Sequence, residues 1–109
     1  SYAPDGRQTV ARAQRALANG DASEVQLLGE ASVRRGALGA EEAIEFRGEF
    51  LHVFAHAEKL RSHLPVWVRK GATELRADGF EYDHLARTLD LKGRTKATFL
   101  PPGARRSGG

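Results

Sequence analysis

The order of apolar and polar residues along this chain predicts helices. From Arg7 to Asn19 the residues are good helix formers, with Val10, Ala13 and Leu17 on one side. Asn19-Gly20 is a stop signal, because glycine accepts the left-handed conformation at a helix end. Asp21 stands three residues before Glu24, the spacing of a capping box. It opens a second helix to about Arg35, with Val25, Leu28 and Ala31 inward, ended by Gly36 and Gly39.

The strongest predicted element is a third helix from about Ala40 to His63. Ala43, Phe46, Phe50, Val53, Ala57, Leu60 and Leu64 fall at alternating spacings of three and four, an a/d seam. Ile44, Leu51 and Ala55 add a second apolar strip. A helix with two such strips is either the centre of its own domain or shared with a partner subunit. Pro65 ends this helix and opens a fourth, to about Ala77, with Val68, Ala72 and Leu75 inward and Trp67 off that stripe. Asp78-Gly79 reads as a turn, and a fifth helix runs from about Phe80 to Leu89. The expected fold class is all-α, with about five helices packed around a long central helix over 40–63. A helical domain would cover 1–91 and a basic arm 92–109. That arm is extended or flexible, and residues 92–100 fit a helix or an extended piece.

Charge changes the picture in one place. The 109 residues carry a net charge of +3. Lys92 to Gly109 alone carries +5 and no acidic residue, so the remainder sums to −2. A cationic arm on a near-neutral body points to an anionic partner, most often a nucleic acid. Lys92, Arg94, Lys96, Arg105 and Arg106 are the expected phosphate contacts to DNA or RNA, and Arg69 and Lys70 extend the patch. A helix-turn-helix built on Leu85, Ala86, Leu89, Leu91 and Phe99 competes with a last core helix followed by a basic arm. The expected function is a small, non-enzymatic, cytoplasmic nucleic-acid-binding protein, a regulator or an accessory subunit of a nucleoprotein assembly.

The rival expectation is a helical protein–protein interaction module: an adaptor, a virion component or an antitoxin-like partner. Its contact surface would be Ile44, Leu51 and Trp67, and it would form a homo-oligomer such as a dimer. A third reading starts from Arg47-x4-His52. That spacing resembles the motif of HEPN-type ribonucleases, small all-helical domains, and the resemblance implies RNA cleavage served by Arg47 and His52. On a helix the same Arg47 can instead pair with a nearby glutamate.

The remaining chemistry is sparse. Without cysteine there is no disulfide, zinc ribbon or thiol nucleophile. Glu49-x2-His52 and Glu81-x2-His84 have the Glu-x-x-His spacing of di-iron bundles, but on helices both pairs lie off the apolar faces. No serine sits in a nucleophile elbow and no glycine cluster has phosphate-loop spacing. No metal, cofactor or catalytic residue is therefore expected. No apolar run approaches the ~20 residues of a membrane span, and the polar N-terminus lacks the apolar stretch of a signal peptide, so no membrane contact is expected.

Overall fold

The computed structural model describes residues 9–36 and 42–99. Among those residues there are eight strands and no helix, so the all-α expectation is overturned. The strands are β1 (Thr9–Arg12), β2 (Arg15–Ala18), β3 (Glu24–Arg35), β4 (Ile44–Phe54), β5 (Lys59–Ser62), β6 (Val66–Lys70), β7 (Thr73–Asp83) and β8 (Thr88–Phe99). All pairings are antiparallel, and they follow the chain as a meander. β1 and β2 both pair with β3, β3 pairs with β4, and β5 and β6 each lie between β4 and β7. β8 closes the order on β7. In effect six long strands stand side by side, two of them interrupted midway.

The interruptions fall on one line across the sheet. β1 gives way to β2 at Ala13-Gln14, and β5 to β6 at His63–Pro65. The β3–β4 register shifts between Leu28 and Ala31, and the β7–β8 register between Ala77 and Gly79. Such bulges bend a strand and increase its twist. β4 crosses the line at Gly48, where a Cβ would stand 2.9 Å from the carbonyl oxygen of Pro65. β7 crosses it at Gly79, where a Cβ would meet the Ser62 carbonyl oxygen at 2.9 Å. Only a residue without a side chain lets the interrupted strand approach its neighbours this closely.

The line divides the sheet into two leaves. Leaf I holds β1, Ala31–Arg35, Ile44–Gly48, β6, Thr73–Ala77 and Thr95–Phe99. Leaf II holds β2, Glu24–Leu28, Leu51–Phe54, β5, Phe80–Asp83 and Thr88–Lys92. The leaves fold onto each other. Phe46 of leaf I stacks on Phe80 of leaf II, 5.3 Å between ring centroids, and tilts against Tyr82 at 5.0 Å.

Period-two patterning explains which side of each leaf is dry. Inward positions are Val33, Ile44, Phe46, Val66, Val68 and Ala77 from leaf I, and Leu27, Leu51, Leu60 and Phe80 from leaf II. All are buried, and they form one core cluster with Ala31. Between them Arg47, Arg61, Arg69 and Arg76 point to water.

Hairpin turns cap leaf II. Ala55–Glu58 and His84–Arg87 are four-residue turns, closed by N–H groups of Glu58 and Arg87 donating to the carbonyls of Ala55 and His84. Each ends in a left-handed residue, Glu58 at φ 52° and Arg87 at φ 59°. The His84 N–H donates to the Glu58 carbonyl at 3.0 Å, and the Ala55 N–H to that of Ser23 at 2.8 Å, tying three turns together. In the β2–β3 turn the Ser23 hydroxyl and N–H bond Asp21 and hold its carboxyl below the usual range.

Several expectations change with this fold. The central helix over 40–63 is β4, the Ala55–Glu58 turn and β5. Asn19-Gly20 is a turn, but between strands. Asp78-Gly79 is no chain reversal; it is a bulge within β7. The proposed boundary after Leu91 falls inside β8. Residues 1–8, 37–41 and 100–109, including Arg105 and Arg106, lie outside the described residues.

Candidate functional site: a groove between the leaves

Opposite the bend, where the strand ends of the two leaves meet, lies a groove of about 590 Å³. This size suits a small-molecule or chain-like ligand. Its wall comes from both leaves. Val33, Ile44 and Phe46 face it from leaf I, and Val53, Leu60 and Tyr82 from leaf II, with Thr9 and Ala11 of edge strand β1 along one side. These side chains reach it because they occupy alternate positions on strands that converge here.

The charged residues of the groove sit at strand ends and in turns. Arg35, last residue of β3, reaches across the leaves to Glu58, Nη2 to Oε1 at 3.5 Å. Both side chains are largely shielded, at 15% and 31% exposure. Lys59 faces Asp83 at 3.8 Å, and the Tyr82 hydroxyl lies 3.1 Å from Nδ1 of His84. An apolar trough with polar residues at its ends suits a molecule that is itself amphiphilic.

The residues expected to carry function do not gather. Lys92 lies on leaf II, 3.8 Å from Asp90. Arg94 sits at the bend, where its N–H donates to Oδ2 of Asp78 at 2.8 Å and its Nε lies 3.9 Å from the same oxygen. Lys96 is on leaf I, and Arg69 and Lys70 are exposed on β6. Of the helix-turn-helix residues, Leu85 and Ala86 lie in the turn after β7, and Leu89, Leu91 and Phe99 lie in β8. Of the expected partner interface, Ile44 and Leu51 are core residues, 8% and 0% exposed, and cannot present a surface. Trp67 lies on the opposite face from them, half-buried under the Arg47 guanidinium at 5.2 Å. Arg47 and His52 fall on different leaves. Arg47 pairs with Glu45 at 3.0 Å and His52 with Glu24 at 3.1 Å, so the ribonuclease-like pair is not assembled. Phe46, Val53 and Leu60 of the groove belong to the predicted helical seam and Ile44 to the second helical strip, although the alternation of Ile44 with Phe46 and of Leu51 with Val53 is that of strands.

Comparisons with known proteins agree with this architecture. No curated protein sequence matches the chain significantly. The fold is similar to the crystal structure of LptH, the LptA-homologous periplasmic component of the conserved lipopolysaccharide transport device from Pseudomonas aeruginosa. That similarity has a TM-score of 0.59 at 8% identity and covers 86% of this chain and 96% of that one. It shows a shared jellyroll-like β fold. A family model described as lipopolysaccharide-assembly, LptC-related, matches residues 1–100. This match overturns the reading as a cytoplasmic nucleic-acid-binding protein, and with it the expected DNA or RNA partner. The chain belongs to the LptC-related lipopolysaccharide-assembly family.

Proposed function

We propose that this protein is a periplasmic component of lipopolysaccharide transport, and that the groove between the leaves receives the lipid's acyl chains. The observation that carries this reading is the groove itself: apolar walls from both leaves, with its charged residues at strand ends and in turns. Acyl chains leave water on entering such a trough, gaining about 0.8 kcal/mol per buried methylene. The polar part of the lipid stays outside, beside Arg35, Lys59 and His84. Family membership and the solved neighbour's role in the same transport device support the assignment. The two outermost strands, β1 with β2 on one side and β8 on the other, each leave an edge without a partner among the described strands. Such edges accept a further strand, and this is the expected route of contact with other components of the device.

Ala11 tests the reading. It lines the groove yet is exposed, so extra bulk there occupies the trough without displacing a core side chain. Ala11→Trp is expected to weaken lipopolysaccharide binding at least tenfold in an equilibrium titration, with the thermal midpoint unchanged. Unaltered affinity would remove the groove from the account.

A further inference from the structure

A second cleft, of about 760 Å³, crosses the strands at the bend. Its rim carries outward side chains, on the face of leaf I that the acyl groove does not use. Arg47, Trp67, Arg76 and Lys96 stand directly opposite one another on β4, β6, β7 and β8. Neighbouring strands are ~4.8 Å apart, so this row spans roughly 14 Å. Its composition differs from the next row out, where Arg34, Glu45, Arg69 and Glu74 alternate in sign. No carboxylate stands within the first row. Among the described residues Arg76 and Lys96 form no ion pair, whereas Arg47, over the Trp67 ring, pairs with Glu45 of the next row at 3.0 Å. Three acidic residues, Glu30, Glu49 and Asp78, line the same cleft, and Asp78 is already engaged by Arg94.

We infer that this cleft is a second binding site and that its ligand is a phosphorylated saccharide. The Arg76 guanidinium and the Lys96 ammonium, on directly opposed positions, suit a phosphate, which accepts forked, charge-assisted hydrogen bonds. The indole supplies an apolar wall for the C–H surface of a sugar ring. Glu30 and Glu49 accept hydrogen bonds from its hydroxyls. A nucleic acid would meet both glutamates with its own negative charge, and a membrane would find the Trp67 ring recessed beneath Arg47. The saccharide part of the assignment rests on the lipopolysaccharide reading above, whereas the anion chemistry rests on the row alone. The groove would hold the apolar part of an amphiphile and the cleft a polar part, of the same molecule or of a second one.

Trp67 is the only tryptophan, so its fluorescence reports on the cleft directly. The whole chain is titrated with a phosphorylated glucosamine disaccharide lacking acyl chains, with its dephosphorylated form, with inorganic phosphate and with anionic lipid vesicles. An apolar fluorescent dye monitors the groove in parallel. The phosphorylated disaccharide is expected to give a saturable change in Trp67 emission. Either simpler ligand should bind at least tenfold more weakly. Arg76→Gln with Lys96→Gln should weaken the disaccharide about a hundredfold, roughly tenfold per charged contact, with dye binding intact. Both residues are exposed, so the fold should survive, as a thermal midpoint checks. A silent Trp67, an unaffected double variant, phosphate binding as tight as the disaccharide, or a response to vesicles alone would overturn the inference while leaving the groove untouched. Lost dye binding with an intact Trp67 response would overturn the groove and leave this site standing.

Discussion

The two faces of leaf I are built from the same strands and could hardly differ more. Along β6, Val66 and Val68 are 4% and 1% exposed, while Trp67 between them and Arg69 beyond face outward. Along β4, Ile44 and Phe46 are buried, while Glu45 and Arg47 make an ion pair in solvent. A strand turns every second side chain to the same face, so one stretch of chain builds a dry surface and a charged one together. Folding the sheet at its midline then hides the dry surfaces against each other and leaves a groove where the match is incomplete. The inner face offers apolar side chains, and the outer face offers charged ones around Trp67.

The sharpest way to break this contrast is to remove the side chain that joins the leaves. Phe46→Ala deletes the ring stacked on Phe80 and Tyr82. It is expected to cost about 3–5 kcal/mol in urea unfolding, and to abolish lipid binding before the fold is lost. A loss below about 1 kcal/mol would mean that the leaves are held by something else. A smaller effect is expected at the bend. Gly48→Ala brings a Cβ to 2.9 Å from the Pro65 carbonyl oxygen, so β4 must move away from the chain between β5 and β6. About 1–3 kcal/mol of destabilisation is expected, with the outer charges unchanged. Full stability in this variant would show that the midline is not the constraint described here.

The sequence hid this fold for identifiable reasons. The apparent seam from Ala43 to Leu64 mixes both faces. Phe46, Val53 and Leu60 point inward, Phe50 belongs to the outer side, Ala57 sits in a turn and Leu64 at the midline break. The inward phase moves by an odd step between Gly48 and Leu51, where β4 passes the bulge in β3. That step imitates helical spacing. Arginine, alanine and glutamate are good helix formers, so local propensity pointed the same wrong way and tertiary packing overrode it.

The legible signal was short-range alternation: Ile44/Phe46, Leu51/Val53, Val66/Val68, Leu75/Ala77 and Leu89/Leu91, separated by turns. The turn at Asn19-Gly20 was readable as a stop, but not as a stop between strands. The groove was harder to see, because Val33, Phe46, Leu60 and Tyr82 are far apart in the chain and meet only after the sheet folds over. The basic C-terminal third was visible from charge alone. Its described residues are divided between the leaves, and Lys92 and Arg94 lie beside Asp90 and Asp78.

The central claim is that the lipid enters between the leaves. A photo-reactive amino acid placed at Val53, inside the groove, tests this most directly, with one at Arg61, on the outer face of leaf II, as the comparison. Illumination in the presence of lipopolysaccharide should give a covalent adduct at position 53 and little or none at 61. An adduct at 61 with none at 53 would contradict the account.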